Sequence, residues 1–511
     1  MSFFSILLTA LGVLFAALVI ILAYKAYKGW VDLDFYRNQG IKSYYNPLLG
    51  FVALMMPPKQ SGERRGDVVA VRYAADTYGR GVFAANRPCG DSPVVAMINS
   101  DYIKEFLLKE DAFERKNFIE DFPLSLGFFF ASGESAMHKR SIFQKVMLYD
   151  ELKKFTPLIL KLTYEAFAEC IKEKKVSNCD YTKINIEKVY SKIIEGISMV
   201  TLFGNYNLSE ESIEVLIQRD AFRIFHLFLE IVKNPVFNMF PWFFYKFPFL
   251  NTTLKKFYKV KEDQKERITK YMKSREGESP QGGSVMDKII ALNTECKRTG
   301  NMTDYFDTEE VFGTLNVISL ASNDTSHNSA MLNLCMLAEN KELRDIVTRI
   351  SDELYDSHGL TTPEKIESHQ MLSRYFKEAM RLGNAAPGTF ARVALKDVKI
   401  LDVNIRKGDA ICIFYAPLNF DPNVFKNPEE FDIDRFSPER EKTYPRYQVS
   451  IFGAGKRVCI GRHLGELTVK LLITSFCNMF EFRKPADVEY YDDIVFTKIA
   501  SLPFIDVKLR Q

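Results

Sequence analysis

No two of the chain's eight cysteines stand in C-x-x-C spacing. Cys89, Cys170, Cys179, Cys296, Cys335, Cys412, Cys459 and Cys477 are scattered, so neither a zinc site nor a dense disulfide framework is indicated. Reduced, mostly buried thiols are the plain reading, and they suit a chain facing a reducing compartment. A large excess of charge of either sign is missing too. The net charge is +3 over 511 residues, which implies no nucleic-acid role. Internal repeats are absent. Aromatics, by contrast, are plentiful (42 Phe, 24 Tyr), as a large apolar core or pocket requires.

Phe3 to Ala23 carries no charge at all and is rich in Leu, Ile, Val, Ala and Phe. At about 1.5 Å per residue such a helix spans roughly 30 Å, the thickness of a bilayer core. A cleaved signal peptide would have a basic n-region and a shorter apolar core. Here no Lys or Arg precedes the run, whereas Lys25 and Lys28 follow it. The expectation is one transmembrane anchor over 1–24, with the positive-inside bias leaving the rest of the chain cytosolic and Trp30 at the interface. The sequons at Asn207 and Asn251 would then stay unmodified. Residues 25–60 read as a linker.

Strand patterns fall in "DVVAVRY", "GVFAAN" and "PVVAMIN" between Asp67 and Asn99. Helical periods dominate from Ser100, 274–284 reads as a loop, and helices resume at Val285 and near Thr308. Strands return in "VKILDVNI", "DAICIFY" and "FIDVKLR". The expected class is mainly α with a small β portion (α+β) drawn from both ends of the sequence. The aromatic stretch 235–251, "PVFNMFPWFFYKFPFLN", leaves two readings open: core packing, or a loop dipping into a membrane surface.

Residues 452–461 read "FGAGKRVCIG". Gly453, Gly455 and Gly461 are able to take positive φ and let backbone approach a flat ligand. Leu464, Leu467, Leu471 and Leu472 give helical spacing just afterwards, so Cys459 sits ahead of a helix N-terminus. A helix N-terminus and the neighbouring Arg457 both favour a thiolate. Taken alone, a cysteine in a glycine loop is more often structural.

The full string, with Phe452, Gly455, Arg457, Cys459 and Gly461 in F-x-x-G-x-R-x-C-x-G, resembles the haem-binding loop of the cytochrome P450 family. Two further stretches fit. "KEAMR" carries Glu378 and Arg381 on one helix face. "NPEEFDIDRF" is similar to the family's P-x-x-F-x-P-x-R-F, with Asp434 where Pro is usual. "ASNDTS" (321–326) interrupts an otherwise apolar helix with polar side chains that need partners. It is similar to (A/G)-G-x-(D/E)-T-(T/S), with Ser322 in place of Gly; a solvent-facing helix is the competing reading. Back-bonding Ser and Thr would distort the helix there.

The resemblance covers 61–511 and implies a cytochrome P450 fold in one haem-thiolate catalytic domain. It also implies haem b as cofactor, with Cys459 as the metal ligand. Asp324 and Thr325 would be catalytic, Asp324 feeding protons and Thr325 donating a hydrogen bond to dioxygen. Glu378, Arg381 and Arg435 would form a buried structural ion network. The haem propionates would meet Arg457, Arg392 and Arg140, with His138 as an added donor; Ala136 stands where the family's W-x-x-x-R has Trp, which leaves an exposed Arg140 as the alternative. Residues near Ser319–Asn323 and in the loop after Arg381 would face substrate. His327 and His463 read as satisfied polar residues. Lys456 and Arg462 read either as docking charges or as solvated ones.

The implied activity is monooxygenation of an apolar organic substrate (lipid, steroid or xenobiotic) at the endoplasmic reticulum membrane. Electrons would come from NADPH through NADPH–cytochrome P450 reductase, with cytochrome b5 as a further donor. Two alternatives stay open: an isomerase or dehydratase of the same fold that does not use O2, against which Asp324-Thr325 argues, and a non-enzymatic haem sensor or electron carrier.

Overall fold

The structure is a computed structural model, which describes the chain apart from residues 1–2, 48–49, 51–76, 78–80, 88–91, 116–132, 235–243, 245, 277–282, 357–358, 387, 489–490, 495–497, 502 and 511. The strand expected over 67–73, most of the 235–251 stretch and Cys89 lie outside the described residues. The chain divides into two compact units.

The first unit comprises Met1–Arg115, Ala386–Glu429 and Tyr444–Lys456. Its centre is a six-stranded sheet in the order 43–44, 82–85, 94–97, 410–413, 392–394, 113–115. Val94–Met97 is buried at every position. Alternate residues supply the two faces: Ala84, Val95, Met97, Ile411 and Ile413 pack on one side; Phe83, Ala85, Val94, Ala96, Ala410 and Cys412 pack on the other. This is why the strands read as continuous apolar runs. The pairing of 94–97 with 410–413 is parallel and joins the two ends of the sequence, as expected.

Phe3–Arg37 is one helix, running past residue 24 until Leu33 and Tyr36 are fully buried against the sheet. Among the described residues no helix is long and apolar enough to cross a membrane. The span expected over 1–24 falls on a segment in which the side chains of 1–11, 14, 15 and 18 lie outside the described residues.

The second unit comprises Lys116–Ala385, Glu430–Thr443 and Arg457–Gln511. Its axis is the helix Thr308–Glu339. Asp307 and Glu310 form a capping box that fixes its start, the Asp307 carboxylate accepting from the Glu310 N–H at 2.8 Å. Helices Ile186–Phe203, Ile213–Lys233, Thr252–Ser274 and Arg462–Met479 pack around it. Val311–Ser319 and Ser326–Leu334, apart from His327, are buried on all faces, as a helix enclosed on every side must be.

Candidate functional site

The cysteine loop is built from local backbone choices. Gly453 and Gly455 take φ of 74° and 75°, values that other residues reach only with strain. A short 3-10 turn over Gly455–Arg457 follows, then Cys459, exposed. Helix Arg462–Met479 starts next, with Gly461 as N-cap and no side-chain cap. Its first N–H groups thus point toward the loop without an internal acceptor. Gly461 corrects the expectation of positive φ: its φ is −86°. A Cβ there would meet nothing within 4 Å, so its freedom is not used by this backbone.

Arg140 is buried, at 3% exposure, which removes the exposed alternative. Its Nη2 donates to the carbonyl of Val458, the residue before the cysteine. His138, from the same helix, is half exposed and its Nε2 lies 2.6 Å from Asp304. In the first unit Arg392 is buried, and its guanidinium pairs with the buried carboxylate of Glu110. Nothing in the local sequence singles out Glu110, because its partner lies far along the chain.

The polar turn of the central helix is Ala321, exposed, followed by Ser322, Asn323, Asp324 and Thr325, all half-buried. Three side chains bond back one turn: Ser322 Oγ to Ile318 O, Asn323 Nδ2 to Ser319 O, and Thr325 Oγ1 to Ala321 O, each at 2.6 Å. The back-bonds do not interrupt the helix, which is α throughout from Thr308 to Glu339. A carbonyl has two lone pairs, so a side-chain donor is added without displacing the backbone N–H. The Asp324 carboxylate accepts from Asn328 Nδ2 at 3.3 Å.

Glu378 and Arg381 meet as their spacing requires. Arg381 Nε and Nη2 each donate to the carboxylate at 2.8 Å, and Arg435 Nε donates at 2.9 Å. The backbone N–H of Asp432 adds a fourth donor at 3.0 Å. Exposure is 0%, 0% and 1% for Glu378, Arg381 and Arg435. Such a network holds only while every member is present.

The cytochrome P450 family model matches residues 68–498. The chain belongs to the cytochrome P450 family. It is similar to cytochrome P450 6a8 of Drosophila melanogaster, 27% identical over 221 residues, which are 42% of this chain and 44% of that protein. It is also similar to cytochrome P450 2U1 of Homo sapiens, 26% identical over 269 residues, covering 51% of this chain and 48% of that one. With cytochrome P450 4V2 of Rattus norvegicus the identity is 30% over 201 residues, covering 39% and 36%. The chain thus spans half or less of the length of these curated relatives. Among solved structures, the cytochrome P450DA heme domain superposes with a TM-score of 0.73 at 16% identity, covering 92% of this chain and 97% of that one. At that identity the likeness bears on the fold, which is the mainly α P450 fold with a small β portion.

Membership of the cytochrome P450 family implies a haem b cofactor. The donor set fits one. A thiolate ligand needs one accessible sulfur, and Cys459 is exposed where the other cysteines of this unit are mostly enclosed. Burial pushes the thiols of Cys477 and, in the first unit, Cys412 up to about 12, which keeps them protonated. Among the described residues no cluster of His, Cys, Asp and Glu could hold a metal ion. His327 lies 3.4 Å from Ser191 Oγ, and His463 Nε2 accepts from Arg462 Nε at 3.2 Å, so both rings have polar partners. Lys456 is paired with Asp111 rather than simply solvated.

Proposed function

We propose that this chain is a membrane-anchored haem-thiolate monooxygenase. It inserts one oxygen atom of O2 into an apolar organic substrate (a lipid, steroid or xenobiotic), with electrons from NADPH through a flavoprotein reductase and cytochrome b5 as a further donor. The observation that carries the reading is Cys459, exposed in a glycine loop just ahead of a helix start that no side chain caps.

Bound haem supplies the oxidising chemistry, which an anionic sulfur ligand tunes toward O–O cleavage. The chain's residues do the rest. The partial positive charge of the helix N-terminus and the guanidinium of Arg457 favour Cys459 as thiolate. Arg140 braces the loop through the Val458 carbonyl. Arg457, Arg140 and Arg392 supply cations for the propionates, with His138 as a further donor.

Thr325 Oγ1 holds its proton on the Ala321 carbonyl in this rotamer, which leaves its lone pairs as acceptors. Rotation about χ1 frees that proton for donation, and Asp324 is the adjacent group that replaces it. Ser319 to Asn323 and the loop after Arg381 line the substrate side in this reading.

Membrane attachment through residues 1–24 is supported by exposed apolar side chains on the first helix: Val13, Val19, Ile20 and Ile21. Phe249 and Leu250, at the described end of the aromatic stretch, are exposed as well and suit contact with the same surface. The positive residues that follow the apolar run support a catalytic part on the cytosolic side, and in this reading the membrane is that of the endoplasmic reticulum.

The test uses the full chain with haem, a reductase and NADPH. The expected results are a thiolate-type carbon monoxide difference spectrum, type-I spectral shifts with members of a fatty acid and steroid panel, and product that requires both NADPH and O2. Cys459→Ala abolishes the spectrum. A wild-type protein that takes up no haem, or binds it without that spectrum, ends the reading. Turnover of peroxides without NADPH would point instead to an isomerase or dehydratase.

A further inference from the structure

Glu110 is a buried carboxylate with both oxygens engaged. It opens the short 3-10 turn Glu110–Ala112 after helix Ser100–Leu108, and it is 7% exposed. Oε1 receives the guanidinium of Arg392, itself 6% exposed and stacked over the Phe106 ring at 5.0 Å. Oε2 accepts the backbone N–H of Lys456 at 2.9 Å. The next residue, Asp111, takes the Lys456 ammonium.

The approach of loop to carboxylate is close enough to dictate a residue type. A Cβ on Gly455 would stand 2.5 Å from Glu110 Oε2 and 2.7 Å from Leu107 Cδ2. The backbone there has φ of 75°. Gly455 therefore has no room for a side chain beside Glu110 and Leu107, a constraint that its local sequence does not show. The segment leading into Cys459 is thus tied to the turn at three points: the Gly455 contact, the Lys456 N–H and the Lys456 side chain.

We propose that Glu110 is a positioning residue for the cysteine ligand. One oxygen anchors the backbone just ahead of Cys459; the other holds Arg392, the cation assigned to a propionate. Loop and cation are coupled through one carboxylate. This rests on the haem-thiolate reading above. Removing the carboxylate frees the Lys456 amide and leaves Arg392 buried without a counter-charge. The loop then loosens, and the sulfur is held less firmly against competing ligation.

The full chain is compared with Glu110→Ala, Glu110→Gln and Gly455→Ala. One readout is amide hydrogen exchange of the 452–461 peptide. The other is the share of bound haem that gives the thiolate-type ferrous–carbon monoxide band, at equal haem content. Glu110→Ala is expected to speed exchange at Lys456 about tenfold or more, and to cut the thiolate-type share at least by half. Glu110→Gln, which keeps an acceptor for the amide, should fall between Glu110→Ala and the parent. Gly455→Ala should match Glu110→Ala.

If Glu110→Ala fails to fold, the other two variants decide. The proposal is overturned if thermal stability falls while exchange at Lys456 and the band share stay at parent values. A parent chain with no thiolate band sinks the haem-thiolate reading instead. In that case the exchange arm still reports on the latch itself.

Discussion

Glu378 gathers two buried guanidinium groups and a backbone N–H on one carboxylate. Replacing it with Ala leaves Arg381 and Arg435 buried and uncompensated, which typically costs about 3–5 kcal/mol. The expected outcome is a lower urea midpoint and loss of haem during purification, measured by denaturation and by haem content per chain. His327 supplies a pH signature. Burial pushes its imidazole below the usual range; nearby Glu187 and Asp324 act the other way and are outweighed. The folded chain thus binds this proton less readily than the unfolded one, where the ring titrates near about 6.5. This contribution to stability is complete above that value and is lost as the pH falls from it through the lower value of the folded ring. His327→Gln should flatten the decline in urea midpoint between about pH 7 and pH 5.5; an unchanged slope would refute the assignment.

At the scale of elements, the central helix joins folding to chemistry. Its polar turn keeps α geometry while Ser322, Asn323 and Thr325 donate to carbonyls one turn back, which satisfies their polar atoms within the helix. Thr325→Val keeps shape and removes the hydroxyl. Under the proposed chemistry, product per NADPH oxidised should fall by about tenfold or more, since positioned proton transfer commonly contributes at least that much. Thr325→Ser should stay near the parent. A product ratio in Thr325→Val equal to the parent's would remove this hydroxyl from the proton path. This turn was legible in the sequence because it breaks an apolar run, and the Glu378–Arg381 pair was legible because i and i+3 share a face. Arg435 was reached only through the resemblance. The fully buried strands 94–97 and 410–413 were legible from their apolar runs, but their order in the sheet was not, since it depends on pairings across hundreds of residues. The Glu110–Arg392 pair stayed hidden for the same reason: 282 positions separate its members.

On the scale of the whole molecule, the first helix is asked to do two things, and truncation separates them. Phe3–Arg37 is a single helix, yet its two ends differ. Val13, Val19, Ile20 and Ile21 are exposed, while Leu33 and Tyr36 are fully buried. Tyr36 also donates its hydroxyl to Asp409 at 2.7 Å, and Asp409 accepts from Arg406 Nε at 2.9 Å. Deleting residues 1–24 should release the protein from phospholipid vesicles and leave its urea midpoint unchanged, because none of the described side chains in that segment is buried. Deleting 1–37 removes two buried side chains worth about 1.5–3 kcal/mol each, and it strips Asp409 of its hydroxyl donor. That form should lose roughly 3–6 kcal/mol of stability by the same measure. The pair is read by vesicle flotation and by urea denaturation of each form. If removal of 1–24 leaves flotation intact, the anchor lies elsewhere, and the exposed Phe249–Leu250 end of the aromatic stretch becomes the next segment to alter. If removal of 1–24 instead destabilises the fold as much as removal of 1–37, the exposed half of the helix is a structural element and its apolar face is covered by protein rather than lipid.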